Sequence, residues 1–275
     1  MCILFIYNGF NDPDSDYAAV VISNRDEFYD RPSSAMAPWT EDYTVVGGRD
    51  LQSGCDNGTW LGFSPKRKKL GVLLNLPGKP KDNAKSRGMI VADYVRNDKP
   101  ATLYVEDMKN DAKECNDFIF VSLELINSTP TIQAYNNVTD EIIAYTDTCV
   151  GFGNSLPQNP LKKVEAGKQM LQHICTKYKK VTMKKAFIEE LFHLLKSEER
   201  HLPDQQLETR RPDLYKELSS IFVCVPKGRY GTRTHSLLLI TKGGHADLIE
   251  HTMQEPIDPL NPTWVRSEFQ FDIEF

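Results

Sequence analysis

Long apolar runs are missing from this 275-residue chain, and no window approaches the roughly 18 apolar residues that cross a bilayer. The apolar opening CILFIY is cut short by Asn8-Gly9 and has no basic residue ahead of it. A secretory signal, which needs about 7–15 apolar residues behind a positive region, does not fit. The acidic Asp12, Asp14 and Asp16 do not suit an Arg-rich presequence either. An excess of positive charge is also missing: the formal charge is −5, which argues against nucleic acid as partner. The six cysteines (Cys2, Cys55, Cys115, Cys149, Cys175, Cys224) form no C-x-x-C pair, so a disulfide framework, zinc ribbon or iron–sulfur pattern is not supported. Reduced thiols and a cytoplasmic location are expected, and the sequons at Asn57, Asn127 and Asn137 read as chance matches. No Pro-, Gly- or Ser-rich linker and no repeat of fixed period divides the chain, so one domain over residues 1–275 is expected.

Cofactor motifs are equally scarce. There is no H-E-x-x-H, no C-x-x-C-H and no G-K-[ST] ending to the glycine-punctuated loop GGRDLQSGCDNGTWLG. A single Glu190-x-x-His193 falls short of a di-metal carboxylate site, which needs that motif twice. No metal or nucleotide cofactor is implied.

What is present is a pattern of apolar runs. CILFIY and YAAVVIS are strand-like and joined by the turn-forming NGFNDPDSD, while TWLGF and KLGVLLN flank the basic tip SPKRKK as a hairpin. Residues 86–109 read as helix. DFIFVSLEL, TIQAYN and TCVGFGNS form a second strand group. Residues 162–178 and 183–196 are helices by their three-and-four spacing of apolar residues. IFVCV, THSLLLI, HADLIEH and FQFDIEF return to strands. The runs are near-continuously apolar rather than alternating, which predicts strands covered on both faces in stacked sheets with helices outside.

Several residues offer chemistry. Removal of Met1 would give Cys2 both a thiol and a free amine of ordinary pKa near 7.7–8.0, a built-in base; the plain alternative is a packed edge cysteine. SNRDEFYDRPS places Arg25 beside Asp26, able to hold a thiolate and an ammonium, or else to form a solvated turn. PKGRYGTRTHS offers Arg229, Arg233 and His235 next to glycines. Residues 161–200 carry net +5, and the lysines among residues 162–185 are readable as a solvated face or as a patch for anionic membranes.

Taken in order, MCILF, SNRDEFYDRPS, GTWLG, LLN, GFGNS, GRYGTRT and WVRSEFQF resemble the NRDE-motif family, the transport and Golgi organisation two proteins, over nearly the whole chain. The resemblance implies an α+β fold, the four-layer αββα sandwich of N-terminal nucleophile hydrolases. It implies candidate site residues Cys2, Arg25, Asp26, Asn75, Asn154 and Arg233, with Trp60 as a substrate contact. The related amidases separate the Arg and Asp that are adjacent here, and neighbours on a strand face opposite ways unless the backbone turns. For function it implies haem trafficking, with haem as cargo, in a cytoplasmic protein associated with mitochondria or endomembranes, lipid metabolism and Golgi organisation. The alternatives are a cysteine amidohydrolase or thioesterase acting on an amphipathic acyl conjugate, and an adaptor at membrane surfaces.

Overall fold

The computed structural model describes residues 2–55, 57–126 and 129–274. The removal of Met1, Asp56 of the glycine-punctuated loop and the sequon at Asn127-Ser128 lie outside the described residues. Contacts divide the chain into two units, Met1–Asp30 with Asp147–Gln270, and Arg31–Thr146 with Phe271–Phe275. Each unit is built on one antiparallel sheet, making the protein mixed α+β.

In the first unit, β1 (Ile3–Asn8) and β2 (Tyr17–Phe28) form a hairpin from the two apolar runs ILFIY and YAAVVI. Here and in the second unit, the remaining elements take their labels in chain order. The second unit is a sheet of consecutive neighbours: β3 (Ser33–Trp39), β4 (Asp42–Asp50), β5 (Leu61–Ser64), β6 (Lys69–Asn75), β7 (Phe118–Ile126), β8 (Thr129–Asn136) and β9 (Glu141–Tyr145). Two helices, α1 (Gly88–Arg96) and α2 (Ala101–Ala112), interrupt it between β6 and β7. The chain then returns to the first unit with β10 (Cys149–Phe152), α3 (Lys162–Lys177), α4 (Lys184–Leu195), α5 (Gln205–Arg210), α6 (Tyr215–Leu218), β11 (Cys224–Val225), β12 (Tyr230–Thr241), β13 (His245–Met253) and β14 (Trp264–Asp272). Its sheet order is β10-β1-β2-β12-β13-β14, with β11 paired to β12.

The central strands are buried almost without a break, as their unalternating sequences require: β1, β2, β6 and β7 each expose only their last one or two residues. In the first unit Ile3, Phe5, Val20 and Ile22 share one core with Leu171 of α3 and Phe187 and Leu191 of α4. Gly167 permits that packing, since a Cβ there would sit 2.2 Å from the Phe5 ring. In the second unit Val91 and Tyr94 of α1 pack with Phe118 and Phe120 of β7. The single helix expected over 86–109 is two. Pro100 sits at the N-cap of α2 and disfavours helical backbone at Lys99, so α1 ends at the extended Asn97.

Candidate functional site

Antiparallel pairing brings the start of β1, the end of β2, the start of β12 and the end of β10 to one edge of the first sheet. Cys2 lies one residue before β1. Its Sγ accepts the backbone N–H of Asp26 at 3.4 Å and lies 3.6 Å from the Asp26 carbonyl oxygen. Burial pushes this thiol up, with the nearby Asp26 charge adding to it and the Asp26 N–H opposing it. Asp26 is itself buried, and the Thr232 hydroxyl donates to its Oδ1 at 2.6 Å. Burial raises its carboxyl, against the opposing pull of Lys163 and Thr232.

Lys163 completes the cluster. It stands in the first turn of α3, is 1% exposed, and donates from Nζ to the Ser220 carbonyl at 2.9 Å. Burial pulls its ammonium down while Asp26, Cys2 and Asp204 hold it up. The arrangement is a thiol, a carboxyl and an amine enclosed together, each with its charged form disfavoured by burial and partly restored by the others. Tyr230, whose hydroxyl is raised by burial and then by Asp26 and Cys2, faces the same group.

The other expected residues are placed as follows. Asn154 is buried two residues past β10, whose Phe152 pairs with Leu4, so the same register carries it alongside Cys2. Gly153 between them allows the approach: a Cβ there would lie 2.7 Å from Val164 of α3. Arg233 is the extra residue of a bulge, because Thr232 pairs with Asp26 while Thr234 pairs with Arg25. Its guanidinium, 1% exposed, donates to the Phe28 carbonyl at 3.1 Å and to Glu255 at 2.5 Å. The bulge lies on β12; β2 runs straight through Arg25-Asp26. Asn24 and Asp26 therefore share the helix-covered face with Ile22, and Arg25, also buried, leaves from the opposite face. Cys2, Arg25, Asp26, Asn154 and Arg233 thus gather at one sheet edge. Asn75 and Trp60 belong to the second unit: Asn75 is exposed at the end of β6 opposite Phe118, and Trp60 lies with its ring against Gly48.

Residue-by-residue reading of the sequence missed Lys163 and Thr232. Lys163 is not part of the basic face: it lies four residues before Gly167 and eight before Leu171, on the stripe α3 buries. That spacing was the available signal. Of the seven remaining lysines of residues 162–185, four are in ion pairs. Lys168 pairs with Glu165, Lys179 with Asp12, Lys180 with Asp16 and Lys184 with Asp247, all at 2.8–3.2 Å. Arg229 likewise forms a two-pronged pair with Asp30. All six cysteines are free thiols, and no group of His, Cys, Asp or Glu among the described residues is arranged to hold a metal ion. No helix among the described residues is long and apolar enough to cross a membrane.

The first unit also carries a groove of about 720 Å³ between α3 and the end of α4. Met170, Ile174 and Leu194 give it an apolar floor, and His173, His193 and Lys196 stand on its margins. Its lining continues through Ser197 to Glu199 beyond α4.

The family described as "Transport and Golgi organisation 2" matches residues 1–255. Transport and Golgi organization protein 2 of Drosophila melanogaster is 36% identical over 281 residues, covering 98% of this chain and 99% of the fly protein. The mouse homolog is 29% identical over 280 residues and covers all of both chains, and the human homolog is 29% identical over 261 residues, 93% of this chain and 94% of the human one. The chain belongs to the transport and Golgi organisation 2 family.

Proposed function

We propose that the protein carries an amphipathic anionic ligand, with haem as its cargo, rather than turning a substrate over, and that it does so in connection with endomembranes, as the family's name suggests. The groove between α3 and α4 carries this reading. Its volume and apolar floor suit a flat, greasy body, imidazoles at His173 and His193 and the Met170 thioether are the kinds of group that ligate haem iron, and Lys196 is a counter-charge for carboxylates. The chemistry at the sheet edge agrees: a thiol pushed up by burial is a poor resting nucleophile. Titration of the whole protein with haem, followed by absorbance, should give a saturable shift of the haem band. Changing both His173 and His193 to alanine, at exposed positions that leave the core intact, should weaken it at least tenfold. A non-saturating response, or one indifferent to both changes, overturns the reading.

The enclosed Cys2, Asp26 and Lys163 favour a second reading, a cysteine hydrolase of amides or acyl thioesters. In that reaction the Cys2 sulfur attacks the acyl carbon, its proton passes to a neutral amine, and an amine or thiol leaves before water releases the acid. Lys163, with its ammonium pulled down, is an amine in reach of this cluster that needs no removal of Met1. Incubation with p-nitrophenyl acetate and intact-mass analysis should then show one acetyl group, absent in Cys2→Ser and formed much more slowly in Lys163→Met. Acetylation elsewhere, or none, counts against it.

A further inference from the structure

The second unit has a cavity of its own, of about 410 Å³, between the β3–β4 hairpin and α1. Strand and helix periods explain what faces it. Gly47 and Arg49 alternate onto one face of β4, and Met89 and Arg96, seven residues apart, lie on one side of α1. The indole of Trp39, at the end of β3, donates from Nε1 to the Gly47 carbonyl at 3.0 Å, which holds the ring in place. The Arg49 guanidinium lies over that ring, 3.4 Å from its centroid, and donates to the Asn57 carbonyl at 2.7 Å.

Two cations and one carboxylate meet here. Glu41, in the two-residue turn between β3 and β4, pairs through Oε1 with Arg49, and the same oxygen lies 3.9 Å from Arg96. Its other oxygen accepts from the Thr40 hydroxyl at 3.3 Å. Arg96 is balanced separately, donating to Asp93 at 2.7 Å. Burial, then the like charge of Arg96, pulls the Arg49 guanidinium down to about 10, so it stays charged at neutral pH. The cations are the more enclosed partners: the Arg49 and Arg96 side chains are 12% and 29% exposed, that of Glu41 42%. An ion pair with so open a partner is weakly held and exchanges readily. Once Glu41 swings out, Arg49 carries the uncompensated positive charge, because Arg96 already has Asp93. One such charge suits a monoanion better than a dianion.

We propose that this cavity binds small monocarboxylates, the ligand's carboxylate replacing that of Glu41 between Arg49 and Arg96 while its apolar body rests on Met89 and Pro38. Glu41 is then a tethered stand-in, which neutralises the site until a ligand arrives and sets how tightly it binds. No residue of this cavity belongs to the groove between α3 and α4 or to the Cys2 cluster, so failure of either proposal leaves the other standing.

Benzoate, its uncharged isostere benzamide, and inorganic phosphate are the probes, titrated into the full chain. The indole N–H resonance of Trp39 should shift saturably with benzoate while that of Trp264, in the first unit, stays put. Benzamide should bind about tenfold more weakly, for want of charge-assisted bonds, and phosphate should also bind more weakly than benzoate. Glu41→Gln, at an open turn, should tighten benzoate binding about three- to fivefold by removing the competitor, and Arg96→Gln should weaken it. Changing both His173 and His193 to alanine should leave the titration unaltered, which separates this site from the haem groove. No saturable shift at Trp39, benzamide binding as well as benzoate, or phosphate binding more tightly overturns the proposal. So does a titration that Glu41→Gln does not tighten, that Arg96→Gln does not weaken, or that follows the two histidines. The first three results need no variant, so a substituted chain that fails to fold does not protect it.

Discussion

Asn24→Ala is expected to lower the unfolding free energy by about 3–5 kcal/mol. The side chain is 0% exposed and makes three bonds, to the Leu195 carbonyl at the end of α4, to the Ile221 carbonyl, and to His235 Nδ1. Truncation strands two buried acceptors and one buried donor, each costing roughly 1–3 kcal/mol when nothing replaces its partner. Admission of water into the vacated space keeps the total below the upper sum. Asn24→Asp separates the parts: a carboxylate still accepts from His235 but cannot donate to either carbonyl, so it should recover only a minor share. Urea unfolding at unchanged slope is the measurement. A loss under about 1 kcal/mol would mean that the amide is not what ties α4 to the sheet.

Acidification is expected to cost the protein roughly 4–5 kcal/mol through His235 alone. An unfolded histidine titrates near 6.5, while the buried ring is pulled down to about 3 by burial, then by Lys196 and His251. Between those values the unfolded chain binds a proton the native protein refuses, so stability is fully present above pH 6.5 and is lost as pH falls toward 3, at 1.36 kcal/mol per unit. His251, pulled down to about 4 and stacked on Phe192 at 4.0 Å, acts in the same direction, but its half-exposed ring is screened and adds less. Asp26 acts oppositely: its carboxyl is raised by burial, so acid favours the native form as pH falls through that raised value. Comparing the protein with His235→Gln isolates the histidine. The difference in unfolding free energy between the two should shift by several kcal/mol from pH 7 to pH 4, and parallel curves would show that the ring is not held neutral.

The legible parts of the fold were those in which one physical signal dominates. β1, β2, β6 and β7 are buried along nearly their whole length and announce themselves as continuous apolar runs, while α3 and α4 do so by periodicity. β3 and β9 went unseen because they are the edges of their sheet, half exposed and with little apolar patterning; β3 even contains Pro38, which an edge tolerates. α5 and α6 are short helices of six and four residues whose positions come from tertiary contacts, such as the Asp204 carboxylate before α5 that accepts from the backbone N–H of Lys162 at 2.9 Å. IFVCV shrank to Cys224–Val225 because Ile221 and Val223 serve the core without joining a ladder. For the site, local motifs were enough to single out Cys2 and the Arg25-Asp26 pair. Nothing local told that Asn24 and His235, 211 residues apart, meet, or that one lysine in a basic run points inward. Those facts depend on pairing between distant strands.

The interrupted course of the first unit has a consequence for synthesis. β1 and β2 leave the ribosome well before their lateral partners β10 and β12, which are encoded 140 residues or more beyond β1. The sheet of the second unit, made of strands that pair with their successors, is encoded in between. A nascent chain therefore holds one greasy hairpin with both flanks open while an inserted body is already able to form, a state prone to wrong partners. Translation speed and holdase chaperones, more than the finished protein's stability, should set the yield of correctly closed molecules.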